Sequence, residues 1–181
     1  MKLSEISPSI YHSLRLLVAS PQKLEKRSNT KIPLIVSLTT IPSRVKTVCI
    51  TIRSLLEQEA RPEKIVLWLN DGFKDNLPKQ LESLQGDIFE IRYSPYTFSH
   101  RKLLHSLEQF PDKIVVTCDD DMIYHREWLK LLYQAHLKNS NAVIANQGRE
   151  ITYGDNGKPL PYIEWPFVKI CLLYTSPSPR D

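Results

Sequence analysis

The stretch Ile114-Val115-Val116-Thr117-Cys118-Asp119-Asp120-Asp121 decides how this chain is read. A run of β-branched residues suits a buried strand, and a triplet of carboxylates follows it directly. Adjacent like charges repel, and burying them unpaired is costly, so such a cluster calls for a cation or for solvent. In open α/β sheets, ligands bind just beyond the carboxyl ends of the strands. Asp119, Asp120 and Asp121 therefore stand where a divalent metal and a phosphorylated ligand can meet. A solvated acidic turn is the plainer alternative.

Working outward, apolar strands alternate with amphipathic helices. A strand is expected over 32–40, with Pro33 tolerated only near its start. Pro42 and Ser43 then punctuate the chain. Ser43 is expected to cap a helix reaching about residue 58, with Val45, Val48, Ile52, Leu55 and Leu56 on one face. A second strand over 64–70 ends in the turn signal Asn70-Asp71-Gly72. A short helix over 78–84 leads to a third strand over 88–93. A helix over 100–110 is expected to bury Leu103, Leu104, Leu107 and Phe110. After the strand over 113–118 come a helix over 126–138, packing Trp128, Leu132 and Ala135, and a strand-like segment over 141–146. Continuous apolar strands imply that both sheet faces are covered, so the sheet should be mostly parallel. Repeated βα units with short connections predict an open α/β sheet with right-handed crossovers.

Composition limits the alternatives. The net charge of +4 is carried entirely by the first 31 residues, where Lys2, Arg15, Lys23, Lys26, Arg27 and Lys31 face only Glu5 and Glu25. The remainder is formally neutral and does not read as a nucleic-acid binder. This basic leader, with Ile10, Leu14, Leu16 and Leu17, reads as a solvated extension or as a short amphipathic helix for peripheral contact with an anionic membrane. No secretory signal or membrane span is evident, which makes the cytoplasm the expected location. Cys49 and Cys118 fit no metal spacing and are expected to be buried and reduced. Trp68 and Trp128 are expected in the core, and the histidines form no metal-ligand pairing.

Residues 171–181, Cys-Leu-Leu-Tyr-Thr-Ser-Pro-Ser-Pro-Arg-Asp, resemble the in-frame translation of a transposase adapter used in sequencing libraries. They are set apart from fold reasoning as a non-native tail, and the natural chain is expected to continue past Ile170. The expected organisation is thus a basic extension over 1–31, an α/β domain part over 32–170, and the tail.

The strand ends converge on one rim. The first offers Thr39, Thr40 and Arg44, the second Asn70 and Asp71, and the third Tyr93, Ser94, Tyr96, His100, Arg101 and Lys102. Acids and bases together suit an anionic ligand chelated through a hard cation, with Lys or Arg neutralising the remaining phosphate charge.

An apolar strand ending in Asp119-Asp120-Asp121, followed by Ile123-Tyr124 and a helix with Trp128-Leu129, resembles the DXD region of GT-A glycosyltransferases, family 2 in particular. The opening Val36-Ser37-Leu38-Thr39-Thr40-Ile41-Pro42-Ser43-Arg44 is similar to that of a group of bacterial family-2-like transferases. The resemblance spans residues 32–165 and implies a GT-A, Rossmann-like, mostly parallel sheet flanked by helices, incomplete at its carboxyl end. It also implies transfer of a sugar from a nucleotide-diphosphate donor to a hydroxyl acceptor, glycan or lipid-linked, with Mn²⁺ or Mg²⁺ as cofactor. The setting implied is bacterial cell-surface glycan synthesis. In that family the last aspartate contacts the metal, which corresponds to Asp121; the earlier acids contact ribose or metal, which fits Asp119 and Asp120. The resemblance further implies that Asp71 reads the nucleobase, that Thr39 and Arg44 lie against the nucleotide, and that Lys102, rather than Arg101, approaches it. A bound metal offsets charge on the leaving diphosphate. In inverting members a carboxylate deprotonates the acceptor; this base is expected beyond Ile170, and Glu164 matches no motif for it.

Two other enzymes share an acidic strand end. A nucleotidyltransferase expects a Gly-rich basic loop after the first strand, and Leu38-Thr39-Thr40-Ile41-Pro42 has no glycine. A haloacid-dehalogenase-type phosphatase expects its acids after the first strand, whereas here they follow the fourth. A nucleotide- and metal-binding fragment without catalysis is the non-enzymatic alternative.

Overall fold

Four parallel strands, in the order β3-β2-β1-β4, carry the fold. The computed structural model describes residues 3–25 and 30–167; the adapter-like residues 171–181 lie outside the described residues. The elements are α1 (Leu3–Val18), α2 (Pro21–Glu25), β1 (Thr30–Thr39), α3 (Val48–Leu56), β2 (Ala60–Asn70), α4 (Lys79–Glu82), β3 (Phe89–Ser94), α5 (Arg101–Gln109), β4 (Ile114–Thr117) and α6 (Trp128–Lys138). The chain divides into two compact units, Met1–Leu129 and Lys130–Asp181.

In the first unit β1 and β2 are central and almost wholly buried, from Leu34 to Leu38 and from Ile65 to Leu69. Ile35, Val66 and Trp68 form a core cluster against which Phe110 packs. Proline removes a ladder donor, and Pro33 and Pro62 stand near the point where the β1–β2 register slips, between Ile32↔Pro62 and Ile35↔Lys64. Both strands begin earlier than the periodicity predicts, because the pairing extends through this irregularity. Among the described residues β4 pairs only with β1, from Leu34↔Ile114 to Ser37↔Thr117. As an edge strand it is half-buried rather than fully buried, as its apolar run alone had implied.

The order of connection positions the site. The chain steps outward from β1 to β2 to β3, then returns to place β4 on the other side of β1. Strand order therefore reverses between β1 and β4, the position where open α/β sheets form a crevice at their carboxyl ends. Thr39 and Thr40 end one strand there, and Asp119 to Asp121 follow the other.

Several expected elements take a different form. The helix expected from Ser43 begins at Val48, and residues 42–47 form consecutive turns. Ser43 is not its cap; Thr47 holds that position, and its hydroxyl donates to the Arg44 carbonyl at 3.0 Å. The predicted apolar face, Val45 to Leu56, is buried. In α5 the expected face is reversed: Leu103, Leu104 and Leu107 are exposed, while Arg101 and Ser106 are buried. A hydrogen-bond chain causes this. The Trp68 indole donates to Ser106 Oγ (2.9 Å), Ser106 donates to Ser37 Oγ (2.8 Å), and Ser37 donates to the Lys102 carbonyl (2.5 Å). These groups lie against the sheet and must be satisfied there, so the polar face turns inward.

The described part of the leader carries buried contacts. Leu16 and Leu24 are fully buried, and Arg15 forks onto the buried Glu57 carboxylate at 2.5 and 2.6 Å. Arg53 donates to the carbonyls of Leu16 (3.1 Å) and Ala19 (2.5 Å), satisfying groups that a helix end leaves free. Ile10, Tyr11, Leu14 and Val18 face solvent. No described helix is long and apolar enough to cross a membrane.

In the second unit, residues 141–146 form no continuous strand, though Val143 takes part in a β-bridge; among the described residues the antiparallel bridges include Arg149↔Phe167 and Tyr153↔Pro159. The Arg149 guanidinium lies over Phe167 and Tyr162 and donates to the Trp165 carbonyl at 2.7 Å. Gly157 has φ +70, within a turn closed by Gly154 and Lys158, where a side chain would be strained. Leu132 and Ala135 are half-buried.

Candidate functional site

The aspartate loop is held in place by α3. Thr51, Ser54 and Gln58 form a polar row at helical spacing beside the apolar face. Thr51 donates to the Asp120 carbonyl (2.8 Å), and Ser54 accepts from the Tyr124 amide (3.0 Å). Gln58 donates to the His125 carbonyl (2.8 Å) and accepts from the Leu129 amide (2.9 Å). Tyr124 closes the loop on itself, its hydroxyl accepting from the Asp119 amide at 2.9 Å, with its ring against Trp128. Burial pushes the Tyr124 hydroxyl well above its ordinary pKa, so it remains protonated at neutral pH. Trp128 is half-buried rather than deep in the core.

The three aspartates occupy different environments. Asp120 turns inward and is only 7 % exposed. Thr40 Oγ1 donates to one of its oxygens at 2.5 Å and Arg44 Nη1 to the other at 2.8 Å. Asp121 is 53 % exposed and lies 3.2 Å from the same Arg44 nitrogen. Asp119, 72 % exposed, accepts from Lys102 Nζ at 2.8 Å, and that ammonium also donates to the Cys118 carbonyl at 2.9 Å. The Asp120 hydrogen bond, then the charges of Asp120 and Asp121, raise the Arg44 pKa above its ordinary value. Cys118 lies beneath the loop as a free, buried thiol, pushed up to about 12 by desolvation; Cys49 is likewise free and buried.

Arg101 ties the neighbouring strand ends together. The residue is 2 % exposed, and its guanidinium donates to Thr39 Oγ1 (2.6 Å), to the Thr40 carbonyl (3.1 Å) and to the Tyr96 carbonyl. Thr39 in turn donates to the Trp68 carbonyl at 2.9 Å. Burial lowers the Arg101 pKa. The structure thus joins Thr39, Arg44, Asp120 and Asp121 into one network through Thr40 and Arg101, while Lys102 and Asp119 form a separate ion pair. Asp71 stands apart, on the turn after β2, where its carboxylate pairs with Lys74 at 2.8 Å and Asn70 caps the Gly72 amide at 3.0 Å. Sequence reasoning placed Thr40 and Arg101 on the rim without giving them a role. It missed the Thr51, Ser54 and Gln58 row altogether, although polar residues at helical spacing beside an apolar face were a readable signal.

Among the described residues no group of three or more His, Cys, Asp or Glu is arranged to hold a metal ion. The triplet is therefore not a closed protein cage, because Asp120 is turned inward. Hard cations in phosphoryl sites commonly need only one or two carboxylates, with phosphate oxygens and water completing the shell. The exposed carboxylates of Asp119 and Asp121 fit that kind of site.

Searches of curated proteins and of solved structures gave no match. The family model described as glycosyl transferase family 2 matches residues 43–176, which include α3, the aspartate loop and most of the sheet. The all-parallel sheet with flanking helices is consistent with the GT-A, Rossmann-like architecture of that family. The chain belongs to glycosyl transferase family 2.

Proposed function

We propose that this chain binds a nucleotide-diphosphate sugar at the β1–β4 crevice and serves its transfer to a hydroxyl acceptor, glycan or lipid-linked. The observation that carries this reading is the pairing of Arg44 and Lys102 with exposed carboxylates at the strand-order reversal. Acids for a cation and bases for phosphates stand within hydrogen-bond reach of one another there. Asp121, with Asp119 beside it, would hold Mn²⁺ or Mg²⁺, which when bound offsets the charge developing on the leaving diphosphate. Lys102 and Arg44 supply further positive charge to the phosphates. Asp120 keeps the loop in register through Thr40, Arg44 and Thr51. Thr39 lies on the nucleotide side, held by Arg101. Asp71 reads the base from the turn after β2.

The expected result is Mn²⁺-dependent binding of uridine or guanosine diphosphate, weakened by about tenfold or more in Asp121→Ala. Calorimetric titration of both proteins checks it; equal affinities would remove the metal assignment.

A cytoplasmic, membrane-peripheral setting in bacterial cell-surface glycan assembly is part of the same reading. Its support is the basic leader, the solvent-facing apolar residues of α1, and the resemblance of residues 36–44.

A further inference from the structure

We infer that Arg44 is the site's internal counter-ion and makes cation binding depend on the donor's diphosphate. This rests on the reading above, in which Asp121 holds the cation.

One nitrogen of Arg44 lies 2.8 Å from Asp120 and 3.2 Å from Asp121. The two carboxylates are not equivalent partners. Asp120 is buried and held still, with Thr40 on its second oxygen and Thr51 on its carbonyl. Asp121 is exposed, and Arg44 is its ion-pair partner. Asp120 therefore anchors the guanidinium, and the anchored guanidinium neutralises the outer carboxylate that a cation must use. Lys102 does the same for Asp119 on the other side of the loop.

A bare divalent ion approaching Asp121 meets a fixed positive charge and a carboxylate already paired. Both effects weaken its binding. A diphosphate changes the balance. Its oxygens accept charge-assisted bonds from the guanidinium, whose fork suits phosphate geometry. Asp121 is then free to share a cation with the same phosphates. Ion and diphosphate enter together, and the site selects the complex over the free metal. The position of Arg44 in the 42–47 turns rather than inside a helix leaves its side chain, 44 % exposed, reachable from solvent.

The test is Mn²⁺ binding measured by electron paramagnetic resonance, with and without uridine diphosphate, on the full chain. In wild type, Mn²⁺ alone should bind weakly and tighten when the nucleotide is added. Arg44→Gln should bind Mn²⁺ alone about three- to fivefold more tightly, the scale of one exposed ion pair, and the tightening by nucleotide should shrink by at least that factor. Unchanged or weaker binding of Mn²⁺ alone in Arg44→Gln overturns the inference. The double variant Arg44→Gln with Asp121→Asn separates the two ideas. If it keeps the raised affinity, the assignment of the cation to Asp121 is wrong; if it loses it, that assignment holds whatever Arg44 does. Should Arg44→Gln fail to fold by circular dichroism, Arg44→Gln combined with Asp120→Asn decides. It removes the guanidinium without leaving a buried, unpaired carboxylate, so Mn²⁺ alone should still bind about three- to fivefold more tightly, and unchanged binding refutes the role.

Discussion

Cys118 shows how one residue can report on the packing of the whole loop. The residue is 5 % exposed and its thiol pKa is raised to about 12 by desolvation. In an unfolded chain it would ionise near its ordinary value of 9.0. Between those values the unfolded state has released a proton that the folded state retains, so stability must fall as pH rises. Tyr124, raised for the same reason, adds to the fall at higher pH. The slope from one thiol is at most about 1.4 kcal/mol per pH unit. Urea unfolding between pH 8 and 11 should show this loss in wild type and a shallower one in Cys118→Ala. Parallel curves would mean that the thiol is accessible to solvent. At the same scale, the contrast between the buried Asp120 and the exposed Asp119 and Asp121 separates the residue that holds the loop from those open to solvent.

Among the elements, α1 and α2 depart furthest from expectation, because a leader that carries all the net charge is nevertheless seated on α3. Its anchor is mixed: one buried leucine on α1, one on α2, and a guanidinium forked onto a buried carboxylate. Leu16→Ala should destabilise the protein by about 2–4 kcal/mol, the usual result of truncating a buried leucine. Leu14→Ala, at a solvent-facing position of the same helix, should change stability by under about 0.5 kcal/mol. Denaturant midpoints distinguish these outcomes; equal midpoints would mean that the helix does not dock in solution. α5 teaches a related lesson. Its leucines suggested one buried face, but Ser106, bonded to Ser37 and Trp68, and Arg101, bonded to Thr39 and Thr40, hold the opposite face against the sheet.

Across the whole molecule, charge and apolar surface are unevenly distributed. The leader holds the net charge of +4, and α1 presents Ile10, Tyr11, Leu14 and Val18 outward. Exposed apolar side chains on a segment whose sequence carries excess positive charge suit an interface with anionic lipid. Co-sedimentation should therefore be stronger with vesicles containing phosphatidylglycerol than with neutral ones, and Leu14→Glu with Val18→Glu should abolish the difference. Indifference of wild type to lipid charge would dismiss membrane contact through this surface.

Residue pattern alone determined the parallel α/β sheet, because runs of β-branched residues separated by helical periodicity have few other solutions. It also determined that acids and bases would share one rim, because every parallel strand delivers its carboxyl end to the same edge. Tertiary structure decided how those groups pair. Thr40 and Arg44 meet Asp120 across 80 and 76 residues of chain, a contact set by β4 returning beside β1. Tertiary structure likewise decided the rotation of α5, since periodicity identifies an apolar stripe but not which stripe the sheet requires. It seated the leader too, because the decisive contact is between Arg15 and a glutamate 42 residues away. Local sequence encodes local periodicity; the partner of each charge depends on strand order.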